Sequence, residues 1–156
     1  MIKLFITVGT TPFDSLIRYC DENINLSKFE VIAQVSELAS YTVQNIKGIT
    51  FTKDINTYYN DADIVITHAG AGSTYNLLEM NKKVILVPNN TLKDGHQNDI
   101  CKFIKDHNYG EVLSLENNII DLNVILLSVH GNLYMQYKNE TGKGIAKEIL
   151  RHSFKK

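Results

Sequence analysis

The chain has 156 residues, a length that fits a single domain spanning 1–156. Its 44% hydrophobic and 21% charged residues are typical of a globular protein and exclude disorder as the main state. A formal net charge of −1 excludes a global positive field that would recruit nucleic acid. The charge is uneven, because residues 1–137 carry a net charge of −5 and residues 138–156 carry +4.

The cysteine content and the lengths of the apolar runs indicate where in the cell the protein is expected. Cys20 and Cys101 form no CxxC motif, so neither a disulfide scaffold nor a thiolate zinc site is predicted, and a reduced cytoplasm is the simplest location. No run approaches the roughly 20 apolar residues that span a bilayer. We therefore expect neither a signal peptide nor a transmembrane helix.

Short runs rich in Val, Ile and Leu recur along the chain, with helix-like segments between them. Mostly unalternated runs of this kind indicate strands that are covered on both faces of a parallel sheet. The predicted strands are 4–8, 31–35, 49–52, 64–67, 84–87 and 112–113. The predicted helices begin near Pro12 and then cover 54–60, 73–81, 96–107 and 141–154, and 117–137 is also interpreted as helical. This alternation predicts an α/β fold with a Rossmann-like, doubly wound parallel sheet.

The first strand leads into a turn of small and hydroxyl residues, Gly9, Thr10 and Thr11, followed by Pro12. In a doubly wound sheet, ligands bind beyond the carboxyl ends of the strands. Free backbone N–H groups in this turn would suit an anion. The other interpretation is a tight turn in which Thr11 caps a helix that has Pro12 at its first position, and both remain open.

The fourth strand ends in a second loop of the same type, which also enters a helix. Gly70 and Gly72 allow a ligand to approach the backbone, and Ser73 and Thr74 add hydroxyls at a helix N-terminus, where a diphosphate is favoured. Two such loops on one sheet edge predict a site that holds the ligand from both sides of a crevice.

Common nucleotide and metal signatures are not matched. The second loop lacks the third glycine of the dinucleotide fingerprint, and no phosphate loop ending in GK[ST] occurs, so NAD and ATP are minor alternatives. The DxD-like Asp61-Ala62-Asp63 precedes a strand, which favours a solvated turn. The five histidines are too scattered for a histidine metal site, and His96-Gln97, after the fifth strand, is either a surface pair or faces the crevice.

Four segments together resemble the C-terminal domain of glycosyltransferase family 28. They are Val8 to Asp14, Ala62 to Ser73, Val87-Pro88 and His96-Gln97, in the family's order and with compatible spacing across about residues 2–115. The most similar members are the single-domain subunits of split transferases, namely the eukaryotic dolichol-linked UDP-GlcNAc transferase subunit and its bacterial exopolysaccharide equivalents. The resemblance implies a single GT-B half-domain.

The resemblance also implies roles for the residues named above. The diphosphate would lie against two sets, Gly9, Thr10 and Thr11, and His68, Gly70, Ala71, Gly72, Ser73 and Thr74. His96 and Gln97 would reach the donor sugar, and neither a metal nor a cofactor is implied. The family's ribose-binding Glu is replaced by Asn76, with the nearest carboxylate at Glu79, which predicts weaker donor binding. A non-catalytic module that has lost donor affinity is therefore the alternative.

The resemblance predicts partners as well. A GT-B enzyme closes two such domains over a cleft, so we expect a membrane-anchored subunit to bind a lipid-linked acceptor while this chain binds a UDP-sugar such as UDP-GlcNAc. The protein would be cytoplasmic and membrane-associated through that partner, and a homo-oligomer is left open. At 141–154, one helical stripe is apolar and another is basic, which suits either packing on the domain itself or attachment to the partner near anionic lipid.

Overall fold

The structure is a computed structural model that describes residues 1–92, 95–116 and 121–129. Its strands are β1 (Ile2–Thr7), β2 (Phe29–Gln34), β3 (Lys47–Ile49), β4 (Ile64–His68), β5 (Lys83–Val87) and β6 (Glu111–Val112). Its helices are α1 (Asp14–Asn23), α2 (Ile55–Asp61), α3 (Ala71–Glu79), α4 (His96–Asp106) and α5 (Leu122–Ser128). The predicted alternation of strands and helices is confirmed.

The six strands form one parallel sheet in the order β3-β2-β1-β4-β5-β6. The direction of winding reverses between β1 and β4, which lie side by side with Thr7 opposite Thr67. On its other side, Thr7 of β1 pairs with Gln34 of β2. In doubly wound sheets the ligand crevice opens at this reversal, beyond the carboxyl ends of the strands.

Helices cover both faces of the sheet, and strands β1, β2, β4 and β5 supply side chains to two separate cores. In β1, Leu4 and Ile6 join the core under α1 and α5, while Phe5 joins the core under α2, α3 and α4. Successive strand residues point to opposite faces, so a strand buried on both sides reads as an unbroken apolar run. Burying each of these large side chains contributes roughly 1.5–3 kcal/mol.

Several predicted boundaries are wrong. Helix α1 begins at Asp14 with Phe13 in the N-cap position and no side-chain cap, so Thr11 does not cap it and Pro12 is not its first residue. The reason is that the Phe13 side chain is buried in the core, which the chain reaches in a non-helical conformation. Strand β3 ends at Ile49 rather than running to 52, and α3 begins at Ala71 rather than 73.

The irregular segment 36–46, between β2 and β3, is tied to α1 by two carboxylates. Asp14 Oδ2 accepts hydrogen bonds from the backbone N–H groups of Ser40 and Tyr41. Asp21 is 3% exposed and accepts from the Tyr41 hydroxyl and from three backbone N–H groups, those of Gln44, Asn45 and Ile46, at 2.7–2.9 Å. Burial alone would raise the pKa of Asp21, but these four donors outweigh burial and lower it.

Part of the C-terminal prediction is described. Helix α5 lies within the predicted helical stretch 117–137, whereas the amphipathic helix predicted over 141–154 lies outside the described residues. Within the described ranges, no helix has both the length and the apolar character needed to cross a membrane.

Candidate functional site

The two predicted anion loops meet at the winding reversal. Gly9 follows β1 with a φ of 68°, a left-handed conformation that favours glycine, and His68 ends β4. The imidazole of His68 lies against both loops: a Cβ built on Gly9 would lie 3.0 Å from His68 Cε1, and one built on Gly70 would lie 2.4 Å from Nε2. One side chain therefore sets how closely the loops approach each other.

His68 is held in its neutral form by its surroundings. Burial lowers the pKa of His68, and the backbone of Thr7 offsets this in part. Nδ1 is inaccessible and makes no hydrogen bond of normal geometry with the described residues. In a neutral imidazole, Nε2 is a donor or an acceptor according to the tautomer.

The amino end of α3 supplies backbone donors to the same crevice. Gly70 occupies the N-cap position without a side-chain cap, so the N–H groups of Ala71, Gly72 and Ser73 precede the first helical hydrogen bond. Thr74 makes that bond, donating its N–H to the Gly70 carbonyl at 3.0 Å, and its side chain is fully buried. The Thr74 N–H is therefore taken up by the helix and is not available to a ligand.

A side chain would meet different surroundings at Gly70 and at Gly72. A side chain at Gly70 would collide with His68, whereas a Cβ at Gly72 would have no heavy atom within 4 Å among the described residues. Gly72 is exposed on the first turn of α3 and keeps open the space above the free N–H groups. The fold requires Gly70, and only a ligand in the crevice would require Gly72.

A buried tyrosine, which was not predicted from the sequence, lies close to the residues that carry both loops. Tyr59 of α2 is 1% exposed, and its hydroxyl lies close enough to the side chains of Ser73 and Thr7 for both to affect its pKa. Burial raises the pKa of Tyr59, and these two side chains lower it by a smaller amount. The signal in the sequence was faint, since a tyrosine in a short amphipathic helix looks like an ordinary core residue.

Two polar residues of β2 and its carboxyl end hold the first loop, and they were also missed. Gln34 Nε2 donates to the Gly9 carbonyl at 3.0 Å, and Ser36 Oγ donates to the Thr10 carbonyl at 2.8 Å. Both side chains are buried. Within the described part of the chain, the N–H groups of Thr10 and Thr11 have no acceptor.

A cleft of about 340 Å³ opens beside the first loop. It lies at the carboxyl ends of β1, β2 and β3 and is lined by Gly9, Thr10, Gln34, Ser36, Glu37, Leu38 and Phe51. Leu38 and Phe51 are 77% and 56% exposed, so the cleft has an apolar and aromatic rim. An exposed aromatic ring next to an anion loop suits a flat, polar ring such as a nucleobase.

Asn76 lies one helical turn beyond Gly72 and on the same face of α3. Its Nδ2 donates to Asn56 Oδ1 of α2 at 2.9 Å, which leaves its Oδ1 as the atom able to accept from a ligand. Glu79 does not replace the missing carboxylate at this position, because it accepts a hydrogen bond from the Tyr75 hydroxyl one turn further along.

His96 and Gln97 begin α4, after β5 and therefore one strand further along the same carboxyl edge. Gln97 Oε1 accepts from the backbone N–H of Asn89 at 2.7 Å, which fixes the side chain against the loop that follows β5. His96 is exposed. The structure thus places this pair beside the crevice, with the amide group of Gln97 oriented by the protein.

The acidic pair lies at the opposite end of the sheet. Lys3, at the amino end of β1, forms an ion pair with Asp61 and donates its backbone N–H to Asp63 at 2.8 Å. The interpretation of this pair as a turn away from the site is confirmed. Over the described ranges, no group of three or more His, Cys, Asp or Glu residues is arranged to hold a metal ion.

Comparisons with curated proteins find related transferase subunits. The UDP-N-acetylglucosamine transferase subunit ALG13 of Homo sapiens is 34% identical over 111 residues, which are 64% of this chain and 10% of that protein. The subunit of the same name from Candida glabrata is 38% identical over 85 residues, 53% of this chain and 42% of that protein. The chain therefore spans less than half of either relative.

A bacterial transferase is also similar over a shorter stretch. The UDP-N-acetylglucosamine--N-acetylmuramyl-(pentapeptide) pyrophosphoryl-undecaprenol N-acetylglucosamine transferase of Bacteroides fragilis is 41% identical over 66 residues, 41% of this chain and 17% of that enzyme.

Among solved structures, the fold matches half of a larger chain. MurG of Acinetobacter baumannii superimposes with a TM-score of 0.68 and 15% identity, over 96% of this chain and 50% of that one. This likeness confirms the predicted Rossmann-like fold of a GT-B half-domain. The profile of the glycosyltransferase family 28 C-terminal domain matches residues 3–149, and the chain belongs to that family.

Proposed function

We propose that this chain is the donor-binding subunit of a two-component glycosyltransferase that uses a UDP-sugar, UDP-GlcNAc in the first instance. The observation that carries the proposal is the meeting of two N–H-rich loops at the winding reversal, with His68 packed against Gly9 and Gly70. A diphosphate needs several donors from more than one direction, and this crevice supplies them from β1 and from α3. The names of the ALG13 relatives support the choice of sugar.

The ligand would extend along the carboxyl edge of the sheet. The diphosphate lies between Thr10 and Ser73, the ribose reaches Asn76, and the base enters the cleft beside Phe51. The donor sugar points along the edge toward His96 and Gln97. Asn56, which accepts the hydrogen bond from Asn76, belongs to α2, the helix that follows the segment carrying Phe51.

The reaction is a displacement at the anomeric carbon with inversion, in which the acceptor hydroxyl attacks and UDP leaves. Negative charge grows on the departing diphosphate, and fixed N–H dipoles at Thr10, Thr11, Gly72 and Ser73 stabilise it without reorganisation. Nε2 of His68 supports the same oxygens. A base must also take the proton of the acceptor hydroxyl.

The acceptor half is proposed to be membrane-anchored and to present a lipid-linked sugar, with this chain held at the cytoplasmic surface through that contact. The chain matches half of MurG, which supports a second unit that completes the cleft. The name of the Bacteroides fragilis relative includes a pyrophosphoryl-undecaprenol acceptor, which supports the class of acceptor.

Calorimetry with UDP and UDP-GlcNAc tests the proposal, with the chain alone and with its partner. We expect UDP to bind in the crevice and sugar transfer to require both components. A chain that binds no UDP in either state contradicts the proposal. That result would instead favour a non-catalytic, partner-binding module, the alternative suggested by Asn76 and its hydrogen bond to Asn56.

A further inference from the structure

Two buried side chains at the end of β2 control the direction of the peptide groups in the first loop. Gln34 Nε2 donates to the Gly9 carbonyl at 3.0 Å, and Ser36 Oγ donates to the Thr10 carbonyl at 2.8 Å. Gln34 and Ser36 are 3% and 4% exposed. Consecutive carbonyls of the loop are thus both drawn toward β2.

The peptide bonds that carry these carbonyls are trans. In a planar trans peptide the C=O and the following N–H point in opposite directions. Since the Gly9 and Thr10 carbonyls point toward β2, the N–H groups of Thr10 and Thr11 point away from it. The strand on that other side of β1 is β4, which leads into the N-terminus of α3.

The orientation of the Gln34 amide is itself fixed. The Thr7 hydroxyl donates to Gln34 Oε1 at 2.7 Å, so the NH₂ group must face the carbonyls of Gly9 and Val35. Ser36 is also held from two sides, because its Oγ accepts from the backbone N–H of Leu38 while it donates to Thr10. Neither side chain can turn without leaving a buried polar group unpaired, which is costly.

We propose that Gln34 and Ser36 are positioning residues of the diphosphate site, which turn two peptide dipoles so that the first loop presents N–H groups rather than carbonyls to the anion. This inference rests on the proposed function. It assigns to Gln34 and Ser36, which also line the cleft beside the first loop, a role in binding the phosphates that acts through the direction of the loop's peptide groups. A flipped peptide would place a carbonyl oxygen toward the phosphates and change attraction into repulsion.

The test uses Ser36→Ala and Gln34→Glu, with Ser36→Thr as the variant that keeps the hydroxyl. Tyr41→Phe is the matched control, because it removes a hydrogen bond from segment 36–46 without touching the first loop. Residual dipolar couplings of the ligand-free chain report the directions of the Thr10 and Thr11 N–H vectors. Calorimetry reports the affinities for UDP and for uridine, which lacks phosphates.

We expect Ser36→Ala to reorient the Thr11 N–H vector and Gln34→Glu the Thr10 vector, with UDP bound about tenfold more weakly and uridine unchanged. Ser36→Thr and Tyr41→Phe should bind UDP like the wild type. Unchanged vectors in both variants, or an equal loss for UDP and uridine, would overturn the inference. A wild-type chain that binds no UDP even with its partner refutes the proposed function. The measured directions of the Thr10 and Thr11 N–H groups would still show whether Gln34 and Ser36 orient the first loop.

Discussion

Nε2 of His68 lies 2.4 Å from the position that a Cβ on Gly70 would occupy. A side chain at residue 70 would therefore collide with the imidazole of His68. The same ring approaches the Cβ position of Gly9 to 3.0 Å. The two loops are therefore spaced by one imidazole, and the glycines around it have unequal roles that substitution can separate.

Gly70→Ala should destabilise the fold and impair the site. The new methyl group overlaps the imidazole, and forcing this half-buried ring to move costs about 1–3 kcal/mol. Urea unfolding measures the loss, and His68→Ala in the same chain should restore much of it by removing the overlap. If Gly70→Ala unfolds like the wild type, His68 does not fix the distance between the loops.

Gly72→Ala should leave stability unchanged or slightly higher, because its Cβ meets no heavy atom within 4 Å in the described structure and alanine favours a helix. UDP affinity should nevertheless fall about tenfold, since the methyl group enters the space above the free N–H groups. Calorimetry beside an unfolding curve checks both halves of this prediction. Undiminished affinity would place the diphosphate elsewhere.

Asn76→Glu should strengthen UDP binding about tenfold, because a carboxylate accepts both ribose hydroxyls with charge assistance. In the wild type, the side-chain oxygen of Asn56 accepts a hydrogen bond from Asn76. The Asn56 amide can turn so that its NH₂ group donates to the new carboxylate, and the fold should therefore tolerate the change. Asn76→Gln lengthens the side chain without adding charge and serves as the control. Equal affinities for both variants would show that the ribose does not reach this position.

His68 should titrate below its ordinary pKa of about 6.5 in the free chain, because burial disfavours the imidazolium. The unfolded state then binds the proton more readily, so this group's contribution to stability falls as the pH drops below about 6.5. Bound UDP should raise the pKa through its negative charge. NMR titration of the ring measures both, and the His107 signals at the far end of α4 should not respond to UDP.

Asp21 should make the fold sensitive to acid. Its folded pKa is lowered, so its stabilisation is complete above the unfolded value of about 3.9 and is lost as the pH falls through the folded value. Asp21→Ala leaves the backbone N–H groups of Gln44, Asn45 and Ile46 without their acceptor and should cost about 3 kcal/mol at pH 7. Urea unfolding should show a smaller difference between the two chains at pH 3 than at pH 7, whereas the exposed Asp106→Asn should change little.

The location of the site was predictable because it depends on the order of strands, turns and helices along the chain. The apolar runs 4–8 and 64–67 each end in a glycine-containing turn, and strand alternation is enough to place both turns at one edge of a doubly wound sheet. The family resemblance then supplied the class of ligand. These inferences use local patterns, which a sequence displays directly.

The supports of the site were not predictable, because they depend on registers set by the whole fold. Gln34 reaches Gly9 only because β1 and β2 pair with Thr7 opposite Gln34, and Tyr59 reaches Ser73 only after α2 packs beside β1. The predicted start of α1 was wrong for a related reason. Thr11 and Pro12 favour a helix start locally, but the burial of Phe13 overrides them.

The two outermost strands restrict how a second protein can attach. Strand β3 has three residues and β6 has two, and Lys47 and Glu111 place charges on these margins. Such short, charged edges offer too few main-chain groups for an incoming strand to extend the sheet. A contact made at either of these edges must therefore be made through side chains, and its specificity can be changed by point substitutions without disturbing strand pairing among the described residues.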